Sequence, residues 1–487
     1  MNGRRMFLPA ALVALLALGG CATAPVNPPI THADPKAGYR YQTRTHYFQD
    51  KEDIVVLAFS GGGTRAAAFS YGVLEALRDT EVIGSKDGRE RLLDSVHAVT
   101  GVSGGSFTAL AYGLYGERLF SEYEQRFLKR NVQGELIGRA MNPFYWGPLS
   151  SPEWGRSELA ADLYDEILFN GATFADLQRG NSPMIVASAT DLSSGARFYF
   201  TQQMFDILCS DLSGVRLSRA AASSSGVPVV LSPVTIYNYA GTCGYKEPPF
   251  LARIERSADV ARPAARALQE LKELRYYEDG KQRPYLHLVD GGVSDNLAVR
   301  EILAILDELQ ALQLESVPTP LDHAKRLVVF VVNSLSTPPL DWDQKRSAPG
   351  TVEILLQATG VPIDHYSYEA VELLRDTAAR WKVLRGIRDS GAIVDNRNPA
   401  LAEVMRVPNI EVYVIDVSFG ALKDEKERAY LNNLPTSFVL PAEAVDRLRA
   451  AAGTIVLDSP DFQRYLKDMG ERIIKKPTPA GTAAPAP

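Results

Sequence analysis

Short, uninterrupted runs of apolar residues recur along the chain and predict the strands of a central sheet. The runs do not alternate with polar residues, which is typical of parallel strands covered on both faces. They occupy residues 54–59, 96–100, 183–187, 285–289, 327–332 and 412–417. Amphipathic segments with helical spacing lie between them, such as residues 66–78 and 106–115. This alternation of strand, glycine turn and helix predicts a three-layer α/β domain with a mostly parallel central sheet.

The amino terminus has a different pattern, typical of an export signal. Arg4 and Arg5 precede a short apolar stretch at residues 6–18. The stretch fits the apolar region of a signal peptide and is too short for an ordinary transmembrane helix. It ends in Leu-Gly-Gly-Cys at residues 18–21, which resembles the bacterial lipobox, so we expect Cys21 to carry lipid. The alternatives are a plain secretory signal and an uncleaved anchor.

The chain is predicted to have four segments. They are a lipoprotein signal peptide at residues 1–20, a flexible tether at 21–45, a folded domain at 46–475 and a disordered tail at 476–487. Prolines and weak apolar periodicity indicate the tether, and a Pro/Ala/Thr-rich composition indicates the tail. Ala22 follows the cysteine, which by resemblance favours the outer membrane, facing the periplasm. The expected partner at this end is therefore the membrane, through a lipid anchor.

Composition and charge narrow the class of protein. The chain has 487 residues, of which 46% are hydrophobic and 23% charged, as in an ordinary globular protein. The formal net charge of −6 suggests no basic surface for a nucleic acid, and the sequence has no Cys/His cluster with zinc spacing. If Cys21 is lipidated, Cys209 and Cys243 remain, and in an exported protein they can close a disulfide. The alternative is a pair of buried free thiols.

A serine in a glycine-rich turn is the candidate nucleophile. Residues 101–105 read Gly-Val-Ser-Gly-Gly, which matches the pattern G-x-S-x-G. The motif follows a predicted strand and precedes a helical segment, which is the context of a nucleophile elbow. The Ser103 hydroxyl would then lie at a helix amino terminus, where the dipole favours negative charge. The motif alone is weak, because a glycine-rich loop with a capping serine has the same sequence.

Three consecutive glycines after the first predicted strand form a candidate anion site. Gly61, Gly62 and Gly63 expose backbone amides and tolerate positive φ at the start of a helix. Two interpretations are a phosphate cradle and an oxyanion hole for a tetrahedral acyl intermediate. The sequence lacks the Gly-Lys-Ser/Thr of a Walker loop, and Ala66 stands where a dinucleotide fingerprint needs glycine, so no nucleotide motif is met. Arg65 is expected to brace the loop or to contact an anionic head group.

Asp290 is the candidate base that activates the serine. The six histidines are at positions 32, 46, 97, 287, 323 and 365, and His323 and His365 are the two that could complete a Ser-Asp-His order. Neither lies in a motif, whereas Asp290 ends a predicted strand and precedes two glycines. Because the carboxyl ends of parallel strands share one edge, we expect Asp290 to meet Ser103 there. Burial beside an apolar pocket would raise the pKa of Asp290 and make it a stronger base.

Together, these motifs resemble the patatin-like phospholipase family. The matching motifs are residues 61–65, residues 101–105 and residues 290–292, with further similar blocks at 190–195 and 221–228. The resemblance is clear over residues 54–300, and residues 301–475 are interpreted as a carboxyl-terminal extension of the same domain. Residues 252–280 and 365–389 have helical patterns and are interpreted as insertions. Ala66 departs from the family, which usually has glycine at that position.

The resemblance implies a serine acyl hydrolase that cleaves acyl esters of lipids or phospholipids. It implies a dyad of Ser103 and Asp290, an acyl-enzyme intermediate and an oxyanion hole made by the glycine loop. It implies no cofactor and no metal. The alternatives are an acyltransferase on the same dyad, a triad that includes His323 or His365, and a non-catalytic scaffolding lipoprotein of the envelope.

Overall fold

The computed structural model shows a large sheet with helices on both faces. The residues that the structure describes are 23–41, 43–44, 52–83, 89–180, 182–247, 265–314, 323–337, 340, 342–391, 407–470 and 472–475. The predicted signal peptide, Cys21, the predicted tail and the first part of the insertion at 252–280 lie outside these residues. None of the helices in the described ranges is both long and apolar enough to cross a membrane.

The central sheet combines strands from both halves of the chain. The strands are β1 (Asp53–Phe59), β2 (Glu81–Ile83), β3 (Arg89–Arg91), β4 (Val96–Val102), β5 (Met184–Asp191), β6 (Arg197–Tyr199), β7 (Val234–Tyr237), β8 (Tyr285–Asp290), β9 (Arg326–Asn333), β10 (Glu411–Ser418) and β11 (Arg472–Lys475). The order in the central sheet is β10-β9-β1-β4-β5-β8-β7, with β6 paired to β5. The strands β11, β2 and β3 form a small antiparallel sheet.

The predicted fold class, a mostly parallel three-layer α/β fold, is confirmed. Each of the six apolar runs corresponds to a strand of the central sheet. Strands β10, β9, β1, β4 and β5 are parallel to one another, whereas β6 and β8 are antiparallel to β5 and β7 is antiparallel to β8. Strands β9 and β10 come from residues 301–475, so that part of the chain extends the same sheet.

Helices connect the strands and cover the sheet. They are α1 (Gly63–Asp79), α2 (Gly104–Tyr115), α3 (Leu119–Tyr123), α4 (Val132–Met141), α5 (Trp146–Leu149), α6 (Arg156–Tyr164), α7 (Phe174–Arg179), α8 (Gln202–Ile207), α9 (Leu217–Ser224), α10 (Ala265–Tyr276), α11 (Gly292–Asp295), α12 (Val299–Leu314), α13 (Thr351–Asp389), α14 (Glu425–Asn432), α15 (Ala442–Asp458) and α16 (Pro460–Asp468). Short 3-10 or π turns occupy Leu92–Ser95, Gly116–Arg118, Glu124–Leu128, Pro143–Tyr145, Asp165–Phe169, Trp342–Gln344 and Phe419–Ala421. The predicted helical segments at 66–78, 106–115 and 365–389 lie within α1, α2 and α13.

The carboxyl-terminal extension is packed tightly on the first half of the chain. Helix α15 lies against α1, and a Cβ atom on Gly72 would lie only 2.5 Å from the carbonyl oxygen of Arg449. The Arg449 guanidinium also pairs with Glu75 at 2.7 Å. Glycine at position 72 therefore allows the two helices to approach at backbone distance, and the extension is part of the same core.

The prediction of a flexible tether at residues 21–45 is wrong for the described residues of that segment, which pack on the body. The side-chain amide of Asn27 donates to the Ser210 hydroxyl at 2.8 Å. Tyr39 is fully buried, and its hydroxyl accepts a hydrogen bond from the amide of Ile185 at 2.8 Å. The prolines of this segment indicated a linker. Its few large side chains nevertheless contact residues that are distant in sequence.

Cys209 and Cys243 form a disulfide. Their Cα atoms are 5.4 Å apart, within the usual range for such a bond. The Cys209 carbonyl accepts a hydrogen bond from the amide of Ile30 at 2.9 Å, and the Cys243 carbonyl accepts one from Ala33 at 3.2 Å. The disulfide therefore fastens two loops to each other and to the amino-terminal segment.

Candidate active site

A sharp turn between β4 and α2 presents Ser103. The residue has φ 49° and ψ −121°, a positive-φ conformation that residues other than glycine rarely adopt. A Cβ atom on Gly101 would lie 2.8 Å from the Cα of Ser106, and one on Gly104 would lie 2.0 Å from the carbonyl oxygen of Gly63. These glycines are required because the strand, the helix and the glycine loop approach one another at backbone distance. The geometry is that of a nucleophile elbow.

Asp290 lies beside Ser103, and we call the two residues the candidate dyad. The Ser103 hydroxyl lies near the Asp290 carboxylate and lowers its pKa, and the amide of Gly292 donates to the carboxylate Oδ1 at 2.8 Å. Both side chains of the dyad are buried. Burial raises the pKa of Asp290 to about 6, although the Gly292 amide and the Ser103 hydroxyl oppose the shift. A carboxylate with this pKa is a stronger base than an exposed aspartate and is still ionised at neutral pH.

Asp290 lies on a strand whose direction differs from the one that the sequence predicted. Strand β8 is antiparallel to β5, with Asp290 opposite Ala189, and β5 is parallel to β4, with Ser188 opposite Val102. Strand β8 therefore enters from beyond the carboxyl edge of β4 and ends level with the elbow. The two residues do lie close together. The prediction assumed, however, that β8 runs parallel to β4, and this assumption is wrong.

The glycine loop lies directly against the elbow. A Cβ atom on Gly61 would lie 3.3 Å from the Cβ of Ser103, and Gly62 and Gly63 have φ values of 137° and 61°. The amide of Gly61 donates to the carbonyl of Asn296 at 2.9 Å. The amides of Gly62 and Gly63 have no hydrogen-bond acceptor among the residues that the structure describes. Of the three predicted glycines, Gly61 thus fixes the loop, and the amides of the other two are left available as donors.

Arg65 is buried and supports the glycine loop from inside the protein. Its guanidinium is buried and donates to the carbonyls of Ser334 at 2.7 Å and Leu434 at 2.8 Å. A third bond goes to the hydroxyl of Thr436 at 3.0 Å. Of the two roles considered from the sequence, these contacts fit loop support, because the guanidinium faces protein acceptors instead of a head-group site.

Ser224 connects the nucleophile to the turn that follows the base, a role that no sequence pattern indicated. Its hydroxyl accepts a hydrogen bond from the amide of Ser103 at 2.9 Å. Its carbonyl accepts another from the amide of Gly291 at 3.1 Å. Ser224 lies in the block at 221–228 that carried part of the family resemblance, so the motif was visible although its contacts were not.

Tyr164 is a further polar group near the base. Its ring packs edge-to-face on Phe107 of α2, with the ring centroids 4.7 Å apart. Its buried hydroxyl oxygen has no hydrogen-bond partner in the described part of the chain, since Ser225 is close but outside hydrogen-bond geometry. Burial raises the pKa of the phenol, the Ser225 hydroxyl lowers it, and the charge of Asp290 raises it further. No sequence signal distinguishes this residue from an ordinary core tyrosine.

The histidines that the structure describes lie in environments different from that of the candidate dyad. His97 is buried on β4, where its Nδ1 accepts a hydrogen bond from the backbone of β1 at 3.0 Å. His287 lies on β8 and pairs with a threonine of β7 at 3.1 Å. The side chains of His323 and His365, the two candidates for a triad, are exposed. Within the described ranges, no group of three or more His, Cys, Asp or Glu side chains could hold a metal.

The candidate site is nearly closed to solvent. Ser103 is only 5% exposed and Asp290 8%. Helix α13 passes over the turn after Asp290, where Tyr366 and Ser367 line a small cavity together with residues 292–296.

A comparison with protein families agrees with this site. The family model described as "Patatin-like phospholipase" matches residues 57–303 of the 487. The matched region begins in β1, ends in α12 and contains the glycine loop, the elbow and the turn after Asp290. The chain belongs to the patatin-like phospholipase family. No curated protein matches the chain.

Solved structures that resemble the chain are distant. Human GIVD cytosolic phospholipase A2, in complex with methyl gamma-linolenyl fluorophosphonate inhibitor and terbium chloride, is 13% identical with a TM-score of 0.38. The alignment covers 88% of this chain and 62% of that chain, so this chain spans less than two thirds of the human protein. VipD from Legionella pneumophila is 10% identical with a TM-score of 0.26, over 94% of this chain and 74% of that chain. These scores are too low to add to the family assignment.

Proposed function

We propose that this chain hydrolyses acyl esters of lipids, including phospholipids, through the dyad of Ser103 and Asp290. The observation that carries the proposal is the proximity of a serine at positive φ to a buried carboxylate whose pKa is raised to about 6. A serine hydroxyl is a weak nucleophile until a base removes its proton, and this carboxylate is positioned to accept it. Family membership supports a lipid ester as the class of substrate.

The first half of the reaction acylates the serine. The Ser103 oxygen attacks the ester carbonyl carbon while its proton moves to Asp290. Negative charge develops on the carbonyl oxygen, and the amides of Gly62 and Gly63 stabilise it by hydrogen bonding. When the ester C–O bond breaks, Asp290 returns the proton to the leaving alcohol, and the acyl group remains on Ser103.

The second half releases the fatty acid. A water molecule gives a proton to Asp290 as its oxygen attacks the acyl carbon, and the same amides hold the oxyanion. The intermediate collapses, the proton passes from Asp290 to the Ser103 oxygen, and the acid leaves. One carboxylate accepts and returns the proton in both halves, so the mechanism uses no histidine.

A product analysis tests the proposal. Wild type, Ser103→Ala and Asp290→Asn are incubated with phospholipid vesicles, and the lipids are identified by mass spectrometry. We expect free fatty acid and lysophospholipid from wild type, and a rate at least about a thousandfold lower from each variant. Full activity in Ser103→Ala would refute the proposal. Transfer to an added alcohol would appear in the same profile as a new ester.

The histidine variants decide between a dyad and a triad. His323→Ala and His365→Ala should each keep kcat within about twofold of wild type, because their side chains are exposed and the base is Asp290. A loss of kcat in either variant comparable to that of Asp290→Asn would replace the dyad by a triad. The matched assay uses a soluble ester, so that lipid binding does not affect the comparison.

We further propose that lipid on Cys21 holds the enzyme at the outer membrane, facing the periplasm. Cys21 lies outside the described residues, and the sequence pattern of residues 4–21 supports this placement. The disulfide between Cys209 and Cys243 is typical of an oxidising compartment. Metabolic labelling with palmitate should label wild type but not Cys21→Ala, and an unlabelled wild type would contradict the placement.

A further inference from the structure

A cluster of apolar side chains is exposed on the segment from α4 to α5. The exposed fractions are 57% for Ile137, 70% for Met141, 90% for Phe144 and 55% for Trp146. We call these four residues the apolar tip. A group of large apolar side chains so close together in water is uncommon and indicates a surface that contacts a partner.

The charge pattern of the same segment is unusual for this chain. From residue 136 to residue 152 the sequence has no acidic residue, although the chain as a whole has a formal net charge of −6. The single basic residue of the stretch, Arg139, pairs with Glu166. A segment with Trp, Tyr, Phe and Met and no acidic charge suits the boundary between lipid head groups and acyl chains.

The apolar tip is attached to the edge of the molecule that holds the active site. At the start of α4, the amide of Gln133 donates to the carbonyl of Phe438 at 3.2 Å. The preceding residue, Ser437, accepts a hydrogen bond from the amide of Thr64 in the glycine loop at 2.8 Å. The Phe438 ring also packs on Phe107 of α2, with centroids 5.7 Å apart. The start of α4 is therefore connected, through residues 437–438, to the glycine loop and to the helix that follows Ser103.

Helix α13 adds a second apolar projection at this edge. Arg375 pairs with Asp416 at 3.6 Å, and Arg385 pairs with Glu411, so α13 runs antiparallel to β10. Its amino-terminal turns therefore extend past the carboxyl edge of the sheet. The exposed apolar side chains on these turns are Ile354, Leu355 and Val361.

We propose that the apolar tip inserts into the surface of a phospholipid bilayer and brings the active-site edge into contact with it. The inference rests on the proposed function, because a lipid ester is drawn from a bilayer. A bilayer fits better than a protein partner, since the tip combines exposed aromatic and aliphatic side chains with an absence of acidic charge, and a second apolar segment lies on the same edge. Docking in this orientation brings the nearly closed site next to its substrate.

Tryptophan fluorescence tests the contact independently of catalysis. The sequence has tryptophan only at positions 146, 154, 342 and 381. The full chain with Ser103→Ala, which leaves lipid intact, is added to phosphatidylcholine/phosphatidylglycerol vesicles with dibrominated acyl chains. We expect the vesicles to quench the emission, and Trp146→Phe to remove most of that quenching. A lipid anchor on Cys21 acts equally in both proteins, so the readout is contact of Trp146 with acyl chains. Equal quenching in both proteins, or none, would overturn the proposal.

Activity on two substrates tests the role of the tip. Phe144→Ser with Trp146→Ser should lower hydrolysis of vesicle lipid at least about tenfold and leave hydrolysis of a soluble short-chain ester within about twofold. The matched control is Val383→Ser with Ile387→Ser, whose side chains are 61% and 42% exposed on α13 near the opposite edge of the sheet. It should change neither rate.

The outcomes separate docking from catalysis. Equal losses of the tip variant on both substrates, or no loss on vesicles, would overturn the docking proposal. A wild type that is inert towards both substrates would refute the proposed function, whereas the fluorescence measurement would still decide whether Trp146 enters the bilayer.

Discussion

At the scale of single residues, the site holds two side chains in unfavourable states. Ser103 has a positive φ, which costs roughly 1–3 kcal/mol in a residue other than glycine. Asp290 has a buried carboxylate, and the burial raises its pKa. Hydrogen bonds from the Ser103 amide to Ser224 and from the Gly292 amide to Asp290 maintain these states. Both states serve the proposed chemistry, because one places the proposed nucleophile at the tip of the turn and the other strengthens the proposed base.

The raised pKa of Asp290 predicts how kcat/KM falls at acidic pH. The carboxylate accepts a proton only when it is ionised, so kcat/KM should fall as the pH falls through a pKa of about 6. Above that value kcat/KM should reach a plateau. The measurement is the rate on a soluble ester between about pH 4.5 and pH 8. A profile that is already flat at about pH 5 would indicate an aspartate with an ordinary pKa and contradict the account.

Replacement of Ser103 by glycine should separate strain from chemistry. Ser103→Gly and Ser103→Ala both lack the hydroxyl and should be inactive. Glycine adopts a φ of 49° without the steric cost, so Ser103→Gly should have the larger free energy of unfolding. We expect a difference of about 1 kcal/mol, after the greater unfolded-state entropy of glycine is subtracted. Urea denaturation measures it, and equal stabilities would show that the turn is not strained.

At the scale of elements, the site is assembled by close backbone contacts between β4, α2 and the glycine loop. A Cβ atom on Gly105 would lie 2.6 Å from the carbonyl oxygen of Ser60, and one on Gly104 would clash with the loop on the other side. The loop is in turn held by Arg65 and by the carbonyl of Ser437. The position of the proposed oxyanion donors thus depends on elements from both ends of the domain.

Gly104→Ala should displace the glycine loop. The new Cβ atom would lie 2.0 Å from the carbonyl oxygen of Gly63, so the loop or α2 must move. We expect kcat/KM to fall at least about a hundredfold and the free energy of unfolding to fall by about 2 kcal/mol. The control is Gly386→Ala in α13, where no atom lies within 4 Å, and it should leave kcat/KM unchanged. Wild-type activity in Gly104→Ala would contradict the described contact.

The disulfide should contribute to stability without a role in the chemistry. It links residues separated by 34 positions, and loop closure of that length stabilises by about 2–4 kcal/mol. The double variant Cys209→Ser with Cys243→Ser should therefore unfold at a lower temperature and keep its kcat on a soluble ester. Thermal unfolding with and without reductant measures the effect. If reductant leaves the Tm of wild type unchanged, the bond contributes nothing.

The sequence predicts the strands better than their directions. Parallel strands covered on both faces need continuous apolar runs, and the runs at 54–59 and 327–332 are strands for that reason. The run at 285–289 led to the same prediction, but it pairs antiparallel to β5, because an apolar run carries no information about chain direction. The same limit applies to long-range contacts: Arg65 finds its acceptors at Ser334 and Leu434, far along the chain.

At the scale of the whole molecule, the active site, the apolar tip and the projecting turns of α13 share one edge of the sheet. The amino-terminal segment after the predicted anchor is packed on the body, where Asn27 and Tyr39 contact residues of the core. The prolines of this segment indicated a flexible linker, so local composition did not predict the packing. Burial of a few large side chains stabilises the packed segment despite the prolines. This arrangement supports the proposed orientation of the molecule on a bilayer.

The central claim is that Ser103 is a nucleophile activated by Asp290, and labelling with a fluorophosphonate probe tests it most directly. Intact-mass analysis and peptide mapping should find one label per wild-type chain, on Ser103, and none on Ser103→Ala. In Asp290→Asn the labelling rate should fall at least about a hundredfold, because no base removes the serine proton. Labelling of another residue, or an undiminished rate in Asp290→Asn, would contradict the account.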